Sequence, residues 1–164
     1  MNTGQMLLAL GAMILLSTTV LRVNNNIFSN DSVLYETKFN FLATSLATSI
    51  IQEAKSKAFD NSTDSTSITD LNLLTSPNHL GPETGETYDS FNDFDDYNNY
   101  SRIDSSMQSA PFNITCIVTY AADGDPDSPS NNKSWNKVLT VTVTSPYMSD
   151  EIKMSTLYSY WFFR

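Results

Sequence analysis

Acidic side chains at alternate positions are the feature of this sequence that comes closest to a chemical site. Asp123, Asp125 and Asp127 have the spacing of the first ligands in a calcium-binding loop. Such a loop also uses a glycine at its sixth position and a glutamate at its twelfth, and here these positions hold Ser128 and Ser134. The three aspartates are the candidate metal ligands of the chain, and they lack two elements of the full motif.

The remaining reactive residue types do not form a catalytic constellation. His79, the only histidine, lies in the turn-rich stretch SPNHLGP with no cysteine nearby, so we expect a solvated loop residue. Cys116 is the single cysteine, and its position within an apolar strand pattern predicts burial. Asp93, Asp95 and Asp96 are expected to form a solvated acidic face. The sequence indicates neither an enzyme nor a bound cofactor.

Charge is distributed unevenly over the 164 residues, whose formal net charge is −9. Residues 60–104 hold ten acidic side chains and one basic side chain, whereas residues 1–59 hold three and four. The chain has no basic stripe of the kind that neutralises phosphates. Nucleic acid is therefore not an expected partner.

The elements that position these residues begin with an uncharged apolar run, Met6 to Leu21 (MLLALGAMILLSTTVL). A helix needs about 20 apolar residues to cross a bilayer, and residues 6–23 come close to that length. The first charged residue is Arg22, so the basic start of a secretory signal peptide is absent, as is a small-x-small cleavage site. We expect a retained membrane helix. A removed signal peptide and a buried core helix are the alternatives.

A second helical pattern follows the Asn24–Asn26 triplet. Its apolar residues recur every three or four positions and predict one face that packs on a sheet of the same chain. If residues 6–59 form one helix, bent or not at the triplet, a small domain cannot bury its first half. That half must contact lipid or the same segment of neighbouring subunits. The predicted packing residues are Tyr35, Phe39, Leu42, Leu46 and Ile50.

The rest of the chain predicts a loop region followed by strands. Residues 60–110 are acidic and rich in turn residues, and their regularly spaced aromatic residues are expected to clamp the loop onto the head. Alternating apolar and polar residues predict strands from Phe112, over Val138–Ser145 and over Ile152–Phe163, with a polar loop at Ala122–Asn136. The expected fold is α+β. It comprises an apolar helix (1–23), its amphipathic continuation (24–59), the acidic loop (60–110) and an antiparallel β-meander (111–164).

This order of elements resembles type IV pilins and the pseudopilins of secretion systems over the whole chain. Besides the apolar run, the resemblance is carried by FNDFDDYNNYS (Phe91–Ser101) and KVLTVTVTSPYMSDEIKMSTLYSYW (Lys137–Trp161), which are similar to the acidic loop and final strands of minor pilin-like proteins. The resemblance implies a bacterial structural subunit that waits in the cytoplasmic membrane and then polymerises with identical subunits into an extracellular, cell-surface filament. The helix would form the filament core through Gln5, Leu7, Leu8, Leu10, Gly11, Ile14 and Leu15.

Gln5 lies at the position where the resemblance implies a special polar residue. The family has a glutamate at the fifth mature position, and Gln5 is fifth from Met1. It would accept a hydrogen bond from a neighbour's amino terminus, or it is an incidental polar residue at the level of the lipid headgroups. Two other functions stay open from the sequence. One is a low-copy minor pseudopilin of a secretion or DNA-uptake system, and the other is a membrane-anchored module whose acidic loop binds a ligand.

Overall fold

The computed structural model describes residues 2–106, 110–122 and 124–160, apart from the side chains of Ser29, Ser32 and Asp127. The chain divides into two compact units, Met1–Lys38 and Phe39–Arg164. One helix is followed by a loop region with short 3₁₀ turns and by an antiparallel sheet, so the predicted α+β class is confirmed. The elements are α1 (Thr3–Lys55), β1 (Ser101–Asp104), β2 (Phe112–Ala122), β3 (Asp125–Ser130), β4 (Asn136–Thr144) and β5 (Ile152–Ser159).

The sheet is built around the long strand β2. One edge of β2 pairs with β4 from Asn113↔Thr144 to Tyr120↔Lys137, and β4 pairs in turn with β5. The other edge of β2 is shared by β1 near its start and β3 near its end. The three predicted strands are therefore confirmed as β2, β4 and β5. The last residues of the third predicted strand, 161–163, lie outside the described residues.

Two strands occur where the sequence predicted loops. β1 lies within the acidic region 60–110, and β3 lies within the predicted loop Ala122–Asn136. β3 contains Pro126 and Pro129, which lack an N–H group and are tolerated in a sheet only at an edge. β1 and β3 are short, and each pairs with only part of β2. Neither has the alternation of apolar and polar residues that identifies a half-buried strand in a sequence.

The core of the second unit lies between the end of α1 and one face of the sheet. The rings of Phe39 and Phe112 meet there at a centroid distance of 6.5 Å. Leu42 and Leu46 are partly buried against this core, but Tyr35 is 59% exposed, so the packing prediction is wrong for Tyr35. The buried row of α1 includes alanines, whose small side chains do not stand out in the helical pattern of the sequence. Its members are Phe39, Ala43, Ala47, Ile50 and Ala54.

The acidic loop is fixed to the end of α1 by polar contacts. The hydroxyls of Tyr88 and Tyr97 donate to the two carboxylate oxygens of Glu53, at 2.5 and 2.9 Å. Ala58 donates its N–H to the carbonyl of Asn92 and accepts from the N–H of Phe94, at 3.1 and 2.9 Å. Tyr97 and Phe94 have no exposed surface. The prediction that aromatic residues clamp this loop onto the head is confirmed.

Candidate functional site

The first unit of the chain presents its apolar side chains outward. Apart from Gly11 and Glu36, which are partly buried, every residue of 2–38 whose side chain is described is exposed. α1 is long and apolar enough to cross a membrane, although a signal sequence near the N-terminus has the same features. All the predicted filament-core residues lie on this exposed part of α1, whereas Met1 lies outside the described residues.

Two threonine hydroxyls within the apolar run are satisfied by the helix itself. The hydroxyls of Thr18 and Thr19 both donate to the carbonyl of Leu15, at 3.0 and 2.8 Å. A hydroxyl that bonds to its own helix does not need water, which lowers the free-energy cost of placing it in an apolar environment. A methyl group added at Gly11 would meet no other atom of the chain within 4 Å. The run is therefore compatible with lipid or with a closely packed second helix.

An exposed apolar row that sequence reasoning missed continues beyond this run. Its later members, Ile27 and Leu34, are 52% and 68% exposed, and Phe41, seven residues further, is exposed as well. Seven residues is the repeat of helices that pack along one another. This spacing is visible in the sequence, but the polar triplet Asn24–Asn26 obscured it. The complete row is Met6, Met13, Val20, Ile27, Leu34 and Phe41, and a parallel row contains Leu7, Ile14, Leu21 and Phe28.

The exposed apolar row is longer than one membrane span. A membrane span of about 20 residues that begins near Met6 ends close to Val23. Ile27 and Leu34 lie beyond that point, among polar residues such as Asn30 and Asp31. Ile27 and Leu34 therefore extend the exposed apolar surface of α1 beyond the length of one such span.

A buried charge cluster holds the acidic loop against the sheet. The ammonium group of Lys137, at the start of β4, lies 2.8 Å from Asp60 Oδ2 and 2.5 Å from Asp95 Oδ1, and it also donates to the carbonyl of Phe59. The Lys137 side chain has no exposed surface. Burial alone would raise the pKa of Asp60, but the charge and hydrogen bond of Lys137 hold it below its usual value.

Asp93, Asp95 and Asp96 are also buried, so the prediction that they form a solvated acidic face is wrong. Asp95 is paired with Lys137. Asp93 is satisfied by the backbone, because its Oδ1 accepts the N–H groups of Asp95 and Asp96 at 2.8 and 3.1 Å. Burial, together with the negative charge of Asp95, raises the pKa of Asp93 to about 9.

The sequence-predicted metal loop is only partly described. Asp123 and the side chain of Asp127 lie outside the described residues, and Asp125 Oδ2 accepts a hydrogen bond from the Ser128 hydroxyl. The other two reactive residues behave as predicted. His79 is exposed, with its Nδ1 2.7 Å from the Ser76 hydroxyl, and Cys116 is buried in β2.

Comparison of the chain with protein-family models, with curated proteins and with solved structures finds no match.

Proposed function

We propose that this protein is a structural subunit of a type IV pilus-like extracellular filament that assembles through the N-terminal part of α1. The observation that carries the proposal is the exposed apolar row, which continues from the apolar run to Leu34 and is longer than a bilayer requires. Before assembly the apolar run lies in the cytoplasmic membrane. In the filament, the same residues pack against the helices of identical subunits.

The transfer from lipid to the filament core is energetically feasible. Residues 6–21 exchange one apolar environment for another, so the hydrophobic free energy changes little on leaving the membrane. Helix association in such surroundings depends on close packing, which small residues permit. Ala9, Gly11 and Ala12 are small residues of the run, and beyond the neighbouring turns of α1 no atom of the chain lies within 4 Å of a methyl group placed at Gly11.

The head supports the same proposal because it has a core of its own. It has a buried apolar core of its own, and its buried aspartates Asp60 and Asp95 are paired with Lys137. Such a head is stable without help from its neighbours, as a subunit must be while it waits in the membrane. The heads would then form the outer layer of the filament.

The proposal is tested with two substitutions in the apolar run, Leu8→Asp and Ile14→Asp. Each places a charge at an exposed position, so the head stays folded and assembly is lost. The measurement is the yield of fibres in sheared surface material by electron microscopy, beside the folded state of the head measured by tyrosine and tryptophan fluorescence. Normal fibre yield from either variant contradicts the proposal.

A further inference from the structure

A lysine amine and a carboxyl group are held in contact in the interior of the head. Lys137 Nζ lies 2.5 Å from Asp95 Oδ1, an oxygen bonded to the electrophilic carbon Cγ of that carboxyl group. The two side chains are buried, with 0% and 3% of their surface exposed. Reactive groups that a fold holds in contact behave as if at very high concentration, up to about 10⁵–10⁸ M in well-oriented cases.

Aromatic rings separate this pair from water. The ring centroids of Phe59 and Tyr120 lie 4.7 and 5.4 Å from Lys137 Nζ, and both residues are buried. In a dry environment the desolvation of two opposite charges is costly, so the neutral amine and acid lie closer in free energy to the ion pair than they do in water. The site therefore favours a product without charge, such as an amide.

A second carboxylate touches the same nitrogen and is held as a base. Asp60 Oδ2 lies 2.8 Å from Lys137 Nζ and also accepts the N–H of Thr75 at 3.0 Å. Asp60 Oδ1 accepts the N–H and the hydroxyl of Ser62, at 3.2 and 2.7 Å. Although burial acts in the opposite direction, Lys137 and these donors keep the pKa of Asp60 below its usual value.

Asp95 differs from Asp60 in its surroundings. Burial raises the pKa of Asp95, against the charge and the hydrogen bond of Lys137. A protonated carboxyl group is the better electrophile, because its hydroxyl group can leave as water. The backbone fixes the position of residue 95, since its N–H donates to Asp93 Oδ1 at 2.8 Å. The two aspartates around the nitrogen are therefore suited to different roles, Asp95 as the acid that reacts and Asp60 as the base.

We propose that Lys137 and Asp95 form an intramolecular amide bond between Nζ and Cγ, with Asp60 as the catalytic base. The ammonium group first gives a proton to the carboxylate of Asp95, which produces an amine and an acid. Nζ attacks Cγ, a second proton passes from nitrogen to Asp60, and Asp60 returns it to the hydroxyl group on Cγ. The C–O bond then breaks and one water molecule leaves. The step is a condensation, so it needs no oxidant or further reactant.

The bond joins the acidic loop covalently to β4. Its two residues are 42 positions apart, and the closed loop contains β1, β2 and β3. A cross-link of this kind stabilises a fold mainly by restricting the unfolded chain. The ion pair of Lys137 is the state of the freshly folded head, before the bond forms. The inference concerns the head alone and does not depend on filament assembly.

The test is peptide mapping of the full-length protein, incubated in detergent at neutral pH, digested with trypsin and measured by tandem mass spectrometry. Trypsin cleaves after a free lysine but not after an acylated one. The expected product is a branched peptide that joins residues 58–102 to residues 134–153 and lacks the mass of one water molecule. Fragmentation should place the branch at Asp95. This result is independent of any processing at the ends of the chain.

Two variants test the assigned roles. Lys137→Arg keeps the positive charge but offers a poor nucleophile, so it should give no branched peptide. Asp60→Asn keeps both reacting groups and removes the base, so the branch should form at least about 100-fold more slowly, the lower end of the range for general acid–base catalysis. Tyrosine and tryptophan fluorescence gives the folded fraction of each sample, and rates are compared per folded molecule.

Two controls match these variants. Lys133→Arg changes a lysine that donates to the backbone carbonyls of Asn72 and Leu74, and Asp64→Asn changes an exposed aspartate. Both should form the branch as the wild type does. The proposal is overturned if the wild type still releases the free peptide 134–137 and no branch after prolonged incubation. It is equally overturned if the branch lies at Asp60, or if Asp60→Asn forms it as fast as the wild type.

Discussion

The described parts of residues 2–38 and 39–160 place the same residue types in opposite surroundings. Ile14 is 57% exposed and Ile114 is 0% exposed, although both lie in regular secondary structure. In the second unit the buried apolar side chains form one core, and a lysine and several aspartates are buried with partners. In the described part of the first unit no apolar side chain is buried. The second unit therefore has a core of its own, and the first unit has none among its described residues.

The largest expected effect tests whether the head depends on its buried charge cluster. Lys137→Met leaves Asp60 and Asp95 buried without their cation, and breaking a buried ion pair in this way costs about 3–5 kcal/mol. Denaturant unfolding of the full-length protein in detergent, followed by fluorescence, measures the change. Lys153→Met, an exposed lysine on β5, is the matched control and should leave stability within about 0.5 kcal/mol. Equal effects of the two substitutions would show that the cluster contributes nothing.

The second prediction uses the isoleucine pair directly. Ile114→Ala removes a fully buried side chain, so it should destabilise the head by about 2–5 kcal/mol. Ile14→Ala removes an exposed side chain and should leave the unfolding of the head unchanged, while it reduces fibre yield. Unfolding curves and sheared-fibre yields measured on both variants separate the two regions. The comparison fails if Ile14→Ala destabilises the head as much as Ile114→Ala does.

The smallest expected effect concerns the pH dependence of the head. The pKa of Asp60 is lowered in the folded state, so its contribution to stability is present above about pH 4, the ordinary value for aspartate. That contribution is lost as the pH falls through the lowered pKa. Asp60→Asn should therefore be less stable by about 2 kcal/mol at pH 7, the scale of a hydrogen bond to a charged group.

This difference should shrink in acid. Unfolding of the wild type and Asp60→Asn from pH 7 down to pH 2 provides the measurement, and Asp64→Asn, at an exposed position nearby, is the control. A difference that stays constant over the range would mean that the Asp60 charge is not what Lys137 stabilises. A difference that grows in acid would reverse the assigned direction of the pKa shift.

Patterns that extend over many residues made much of the fold predictable. The alternation in Val138–Ser145 identified β4, and the apolar run identified the start of α1. Short edge strands were missed because β1 has only four residues and β3 contains two prolines. For such strands the pairing with β2, rather than their own pattern, determines the structure.

Burial of charge was the main feature that the sequence did not predict. Asp93, Asp95 and Asp96 have the composition of a solvated loop, and their burial depends on Lys137, more than 40 positions away, and on backbone N–H groups. Conversely, the seven-residue row through Ile27 and Leu34 was available in the sequence, and only the polar residues between its members concealed it.

The most direct test of the account is a comparison of Ile27→Asp with Asn30→Asp. Both place an aspartate in the same part of α1, beyond the membrane-length run, but only Ile27 belongs to the exposed apolar row. Electron microscopy of sheared surface material from cells that produce each variant should show fibres for Asn30→Asp and none for Ile27→Asp, with both proteins present in the membrane. Equal fibre yields, or an absence of fibres from the wild type itself, would contradict assembly through this helix.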